Sequence, residues 1–186
     1  AALKPTPNHC ALPRRRSDFA TFAEALDYAA QGVRGLNFHD PRGRLVRPYP
    51  FSELRADALK TAYRLIAHGV KPGDRVALIA ETGPHFAEAF RGAVYAGAWP
   101  VPLPLPTSFG GKDHYIDQIG TQMASAEPTV LCYPAEIEAK TLAAAEKQGC
   151  EGIAWEVVEQ REAPEAVLPE LDPEGICFLQ YSSGST

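Results

Sequence analysis

A mostly parallel β-sheet covered by helices on both faces is what this sequence predicts, and three observations lead there. Short apolar runs bounded by turn residues, such as Val76-Ala77-Leu78-Ile79-Ala80 and Thr129-Val130-Leu131-Cys132, have the unbroken hydrophobicity of strands buried on both sides. These runs alternate with longer segments whose apolar residues keep helical spacing, the rhythm of βα units. The chain has 186 residues and 45% apolar content, enough to build a sizeable core in one ordinary domain or two small ones.

Residues 1–18, rich in Pro and Arg, read as a poorly ordered lead-in. Thr21 and Glu24 have capping-box spacing, and Phe22, Leu26 and Ala29 share one face of the helix that follows. Asp40-Pro41-Arg42-Gly43, flanked by Leu36–His39 and Leu45-Val46, predicts a hairpin. Ser52 is expected to cap a second helix carrying Leu54, Ala58, Ala62, Leu65 and Ile66, with Gly69 as its stop. After the strand Val76–Ala80, Gly83-Pro84 opens a helix that Gly97 closes. Trp99–Pro106 carries too many prolines to be a central strand beyond its first residues. A helix from about Asp113 to Ala126, the strand Thr129–Cys132 and an Ala-rich helix from Ala135 to Gln148 come next. Ile153–Trp155 with Val157-Val158 predicts a further strand. An acidic, Pro-rich connection over 159–174 leads to a last buried strand, Ile176–Leu179.

Composition excludes several classes of function. A formal charge of −5 gives no broad electrostatic footprint for nucleic acid, and Arg14-Arg15-Arg16 reads as a solvated run. No apolar stretch reaches the ~18 residues that a membrane span needs. The four cysteines are widely spaced, which fits a reducing cytosol and a cytoplasmic location. The five histidines show no ligand spacing with Cys, Asp or Glu, so no metal site is assigned.

The sequence ends in Ser182-Ser183-Gly184-Ser185-Thr186, four hydroxyls and a glycine directly after an apolar run. Composition allows two readings. Ser-Gly segments serve as flexible linkers. At the carboxyl edge of a parallel sheet the same residues form an anion-binding nest, with N–H groups and hydroxyls facing phosphate oxygens. The loop lacks the flanking glycine and lysine of G-x-x-x-x-G-K-[ST].

Three segments decide between these readings. Gly69-Val-Lys-Pro-Gly-Asp-Arg-Val-Ala-Leu78, Ala96-Gly-Ala-Trp-Pro-Val-Pro-Leu103 and Tyr181-Ser-Ser-Gly-Ser-Thr186 occur in this order. Together they resemble the amino-terminal part of the acyl-adenylate-forming ligases, the superfamily of acyl-CoA synthetases, fatty acyl-AMP ligases, luciferases and peptide-synthetase adenylation domains. The last segment is similar to the start of that family's phosphate loop, Y-[ST]-S-G-[ST]-T-G-x-P-K-G. The likeness spans about Phe19 to Thr186. It implies the amino-terminal α/β subdomain of an AMP-binding domain over residues 19–186.

The resemblance implies ATP-dependent activation of a carboxylic acid to acyl-AMP, followed by transfer to a thiol. Ser182, Ser183, Gly184, Ser185 and Thr186 are then the ATP phosphate-binding residues. Mg²⁺ ligands and catalytic residues are expected outside this sequence, which stops within the loop, and the fragment alone is expected to be inactive. Val101-Pro-Leu-Pro-Leu-Pro106, Gly110-Gly111 and Ala126-Glu-Pro-Thr-Val-Leu131 look most like fatty acyl-AMP ligases, although the prolines also fit simple loop rigidity. They point to a fatty acid substrate with an acyl carrier protein as acceptor. The alternatives are an acyl-CoA synthetase using CoA and a non-catalytic α/β binding domain.

Overall fold

The structure, a computed structural model, describes residues 2–9, 11–106 and 111–182. Helix α1 spans Phe22–Ala29. Thr21 Oγ1 accepts the Glu24 N–H at 3.2 Å, and the Glu24 carboxylate accepts the Ala20 N–H at 2.9 Å. The predicted capping exchange therefore forms, its return bond reaching one residue ahead of the cap. Strands β1 (Gly35–His39) and β2 (Leu45–Pro50) make the expected antiparallel hairpin. Asp40 organises its turn by accepting the Arg42 and Arg44 N–H groups, each at 2.9 Å. Those backbone donors and the Arg44 guanidinium hold the Asp40 carboxyl below the usual carboxylate range.

Helix α2 covers Phe51–Ala67 and starts without Ser52 as its cap. Pro50 occupies the cap position, and the Phe51 N–H donates to the Arg34 carbonyl at 2.9 Å. With the helix starting at Phe51, Ser52 lies inside its first turn and cannot serve as the cap. Gly69, at φ +101°, ends the helix in a left-handed conformation, as expected.

The remaining elements are β3 (Arg75–Ile79), α3 (Pro84–Tyr95), β4 (Trp99–Leu103) and α4 (Gly111–Ala126). Then come β5 (Val130–Tyr133), a short 3₁₀ turn (Ala135–Ile137), α5 (Glu138–Lys147), β6 (Glu151–Ala154) and α6 (Trp155–Gln160). Their strands form one sheet in the order β4-β3-β5-β6, every pair parallel. Val76, Leu78, Val130, Cys132 and Ile153 pack into a core with α1, α2 and α3. Ala77, Ile79, Val101, Leu103, Leu131 and Tyr133 pack on the other face with α4 and α5. Each fully buried Leu or Ile stabilises this arrangement by about 1.5–3 kcal/mol relative to exposure. Helices α2 and α3 touch so closely that a Cβ on Gly92 would sit 2.8 Å from the Thr61 side chain.

Two predicted strands differ from expectation: Ile153–Trp155 with Val157-Val158 is a strand only at Ile153 and Ala154, in β6, and Ile176–Leu179 is not one. Trp155, Val157 and Val158 lie in α6. The β-branched pair suggested extended chain, but Trp155 and Val158, three apart, are buried while Val157 is exposed, a helical pattern. Residues Ile176–Leu179 are extended but outside the sheet, and Ile176 and Phe178 are 51% and 43% exposed. This segment lies along β4, where the Leu179 N–H donates to the Pro100 carbonyl at 3.1 Å. A parallel ladder would return a bond from residue 102 to the Leu179 carbonyl, and residue 102 is proline.

Candidate functional site

The predicted phosphate-binding residues follow directly from this edge segment. Gly175–Phe178 share a cavity wall with Gly97–Trp99, and Leu179 reaches Pro100, so the segment runs beside β4 in the same direction. Phe178 rests on Phe90 of α3, their ring centroids 5.5 Å apart. Leu179 and Tyr181 pack against the second core, and the Tyr181 hydroxyl donates to the Gln122 carbonyl of α4 at 2.7 Å. Tyr181, which begins the Y-S-S-G-S-T motif, is thereby anchored on the helix covering that face. Ser182 is exposed immediately beyond it. Ser183, Gly184, Ser185 and Thr186 lie outside the described residues.

On the opposite helical layer, a polar cavity of about 280 Å³ lies where β2, α2, α3 and α6 meet. The Tyr49 hydroxyl donates to Asp57 Oδ2 at 2.9 Å, and burial pushes its pKa far above the usual tyrosine value. Glu88, 8% exposed, accepts a hydrogen bond from the Thr61 hydroxyl, with Arg64 Nη1 4.0 Å away. Burial dominates and pushes the Glu88 carboxyl up to about 7, with Glu159 and Asp57 adding to the rise. His85 Nδ1 and Glu159 Oε1, 2.5 Å apart, close the cavity. A carboxyl in this setting exchanges its proton near neutrality.

Sequence reasoning missed this cluster because four separate elements supply it. Its only local signals are the spacings Asp57-Thr61-Arg64 and His85-Glu88, each consistent with one face of a helix. Since α4, which anchors Tyr181, covers the other face of the sheet, the cluster belongs to the α2–α3 packing and not to the edge segment.

A larger apolar cavity, about 720 Å³, lies between α1 and the edge segment at the amino ends of β3 and β4. Phe19, Phe22, Trp99, Ile176 and Phe178 line it with Cys177, whose thiol is pushed up by burial. Among the described residues, no group of three or more His, Cys, Asp or Glu side chains is placed to hold a metal ion. No described helix is long and apolar enough to cross a membrane.

Comparison with known proteins bears on this geometry. A protein of Caulobacter vibrioides assigned to the acyl-CoA synthetases is 40% identical over 186 residues, covering 100% of this chain and 32% of its own length. The long-chain-fatty-acid–AMP ligase FadD26 of Mycobacterium marinum is 31% identical over 153 residues, 79% of this chain and 25% of that protein. A solved structure from work on the fatty acyl-adenylate ligases of E. coli and L. pneumophila superimposes with a TM-score of 0.85 at 36% identity. It covers 93% of this chain and 31% of the solved one. The chain thus spans about a third or less of the length of the proteins it matches. The sequence profile described as AMP-binding enzyme matches residues 44–186. With its parallel sheet and its edge segment leading into Y-S-S-G-S-T, this chain belongs to the AMP-binding enzyme family.

Proposed function

We propose that residues 19–186, after a lead-in over 1–18, form the amino-terminal α/β unit of an ATP-dependent acid–AMP ligase acting on a fatty acid. The observation that carries this reading is Tyr181-Ser-Ser-Gly-Ser-Thr186, which follows a segment lying along the edge of a parallel sheet in a member of this family. The donor chemistry fits a polyphosphate. Ser182, Ser183, Ser185 and Thr186 offer neutral hydroxyls and N–H groups, Gly184 permits close approach, and no carboxylate within the motif repels an anion. Bound ATP supplies the adenylyl group and a pyrophosphate leaving group. Fixed donors meet the charge that develops on the phosphates without having to reorganise. Mg²⁺ accompanies the nucleotide, held by residues other than the described ones.

In the overall reaction the fatty acid carboxylate displaces pyrophosphate to give acyl-AMP, and a thiol then displaces AMP and loses its proton. Adenylation is needed because a carboxylate is a poor acyl donor. A carrier protein's thiol is the favoured acceptor, supported by the likeness of the Val101–Leu131 pattern to fatty acyl-AMP ligases. The relative assigned to acyl-CoA synthetases keeps CoA as the alternative acceptor. The reducing setting implied by free Cys132, Cys150 and Cys177 supports a cytoplasmic location. These 186 residues, about a third or less of the length of the proteins they match, are expected to be inactive by themselves.

The test uses the intact enzyme. Ser185→Ala or Thr186→Ala should lower fatty-acid-dependent pyrophosphate–ATP exchange on the order of 100-fold, the effect of losing one charge-stabilising donor. Unchanged exchange in both variants would overturn the phosphate-loop assignment. Supplying acyl-AMP with either CoA or a phosphopantetheine-bearing carrier reads the acceptor. Thioester on CoA and none on the carrier defeats the carrier reading while leaving adenylation intact.

A further inference from the structure

The open edge of β4 presents carbonyls and no N–H groups to residues 176–181. Positions 99, 101 and 103 turn toward β3: the Trp99 N–H donates to the Asp74 carbonyl at 2.7 Å, and the Leu103 carbonyl accepts the Ala80 N–H at 2.8 Å. Strand alternation sends positions 100 and 102 to the opposite edge. Both are proline. The neighbouring segment can therefore donate to this edge and receive nothing back from it. Among the described residues, one backbone hydrogen bond, Leu179 N–H to Pro100 carbonyl, joins the two. The remaining fasteners are side chains: the Phe178 ring on Phe90, the Tyr181 hydroxyl on the Gln122 carbonyl, and the packing of Cys177 on the first core and of Leu179 and Tyr181 on the second.

We propose that Pro100 and Pro102 keep residues 176–181 as a strap that shifts along β4, in place of a fifth strand locked in register. A ladder fixes register because each residue both donates and accepts, so a slip breaks paired bonds together. With the return donors removed, a slip breaks one backbone bond. Carbonyls on the proline edge remain available to accept from Cys177 or Tyr181, whose amides alternate to the same side as that of Leu179. The side-chain fasteners from Cys177 to Tyr181 restore the same seat after each excursion. Because the strap ends at Ser182, its travel moves the base of the donor set. That consequence rests on the phosphate-loop reading proposed above, whereas the strap itself does not.

Amide hydrogen exchange on this chain, without nucleotide, tests it. In the wild type, amides of 177–181 should exchange far faster than those of Val76–Ile79 in β3. Pro102→Val restores the missing donor, so the amide introduced at position 102 should be protected and exchange at Leu179 and Tyr181 should slow by about fivefold, the equivalent of one net hydrogen bond. Val101 and Leu103, whose amides face β3, report in the same sample that the sheet is intact. Pro100→Val makes the corresponding prediction at Cys177. Wild-type strap amides as protected as those of β3 would overturn the proposal, and that measurement decides even if neither variant folds. So would a freely exchanging amide at position 102 of the Pro102→Val variant, with unchanged strap exchange in an intact sheet. Nucleotide titration of the same samples tests the phosphate-loop reading separately.

Discussion

Replacing Glu88 by Gln removes a buried carboxyl whose ionisation is opposed by its surroundings, and the effect on stability has a calculable sign. Glu88 is faced by Thr61, Arg64 and Asp57 from α2, Tyr49 and Arg47 from β2, and Glu159 from α6. Its pKa rises from an ordinary 4.5 to about 7 in the folded chain, chiefly through burial. Below pH 4.5 the carboxyl is protonated in both states and carries no penalty. As pH rises toward 7 the unfolded chain releases its proton while the folded chain holds it, so folding stability falls. Above 7 the loss is complete. A rise of about 2.5 pH units at 1.36 kcal/mol each amounts to roughly 3 kcal/mol. Gln keeps the shape and an oxygen to accept from the Thr61 hydroxyl, and it has no proton to lose. Glu88→Gln should therefore lie within about 1 kcal/mol of the wild type near pH 5 and exceed it by up to roughly 3 kcal/mol at about pH 8. For a chain of this size that is about 6–12 °C in Tm. Thermal or urea unfolding of both proteins from about pH 5 to about pH 8.5 is the assay. Parallel pH profiles, or a variant less stable at the alkaline end, would refute the reasoning.

Two further substitutions probe packing and anchoring. Gly92→Ala places a methyl 2.8 Å from the Thr61 side chain and 3.0 Å from the Ala58 carbonyl, and should cost about 1–3 kcal/mol in urea unfolding by forcing α2 and α3 apart. Tyr181→Phe keeps the ring against the second core and removes the bond to Gln122, so global stability should fall by only about 1 kcal/mol. The same change should raise amide exchange at Leu179 and Tyr181, and a variant that leaves both unchanged would show the anchor to be inert.

The parallel sheet was legible because β3 and β5 are buried on both faces, and burial on both faces writes itself into the sequence as an unbroken apolar run. Local chemistry likewise announced the Thr21–Glu24 cap and the Asp40 turn, since each is completed by residues within a few positions. The Y-S-S-G-S-T motif was visible for the same reason: its chemistry lies in contiguous residues. What failed depended on partners remote in sequence. Ser52 lost its capping role because the helix begins one residue before it, at Phe51, whose N–H the Arg34 carbonyl accepts from beside the hairpin. Val157-Val158 became helical because burial of Trp155 and Val158 against the first core outweighed β-branched preference. Ile176–Leu179 had a strand's composition but met an edge without donors, a property of the alternation in β4 and of which neighbour the segment adopts. The polar cluster around Glu88 was illegible because four elements supply it, and one carboxyl's environment is set by desolvation that exists only once they pack. Sequence alone determined which segments become buried strands and where contiguous donors lie. Tertiary structure decided which backbone groups find partners and which charges lose water, because both depend on distances that only folding creates.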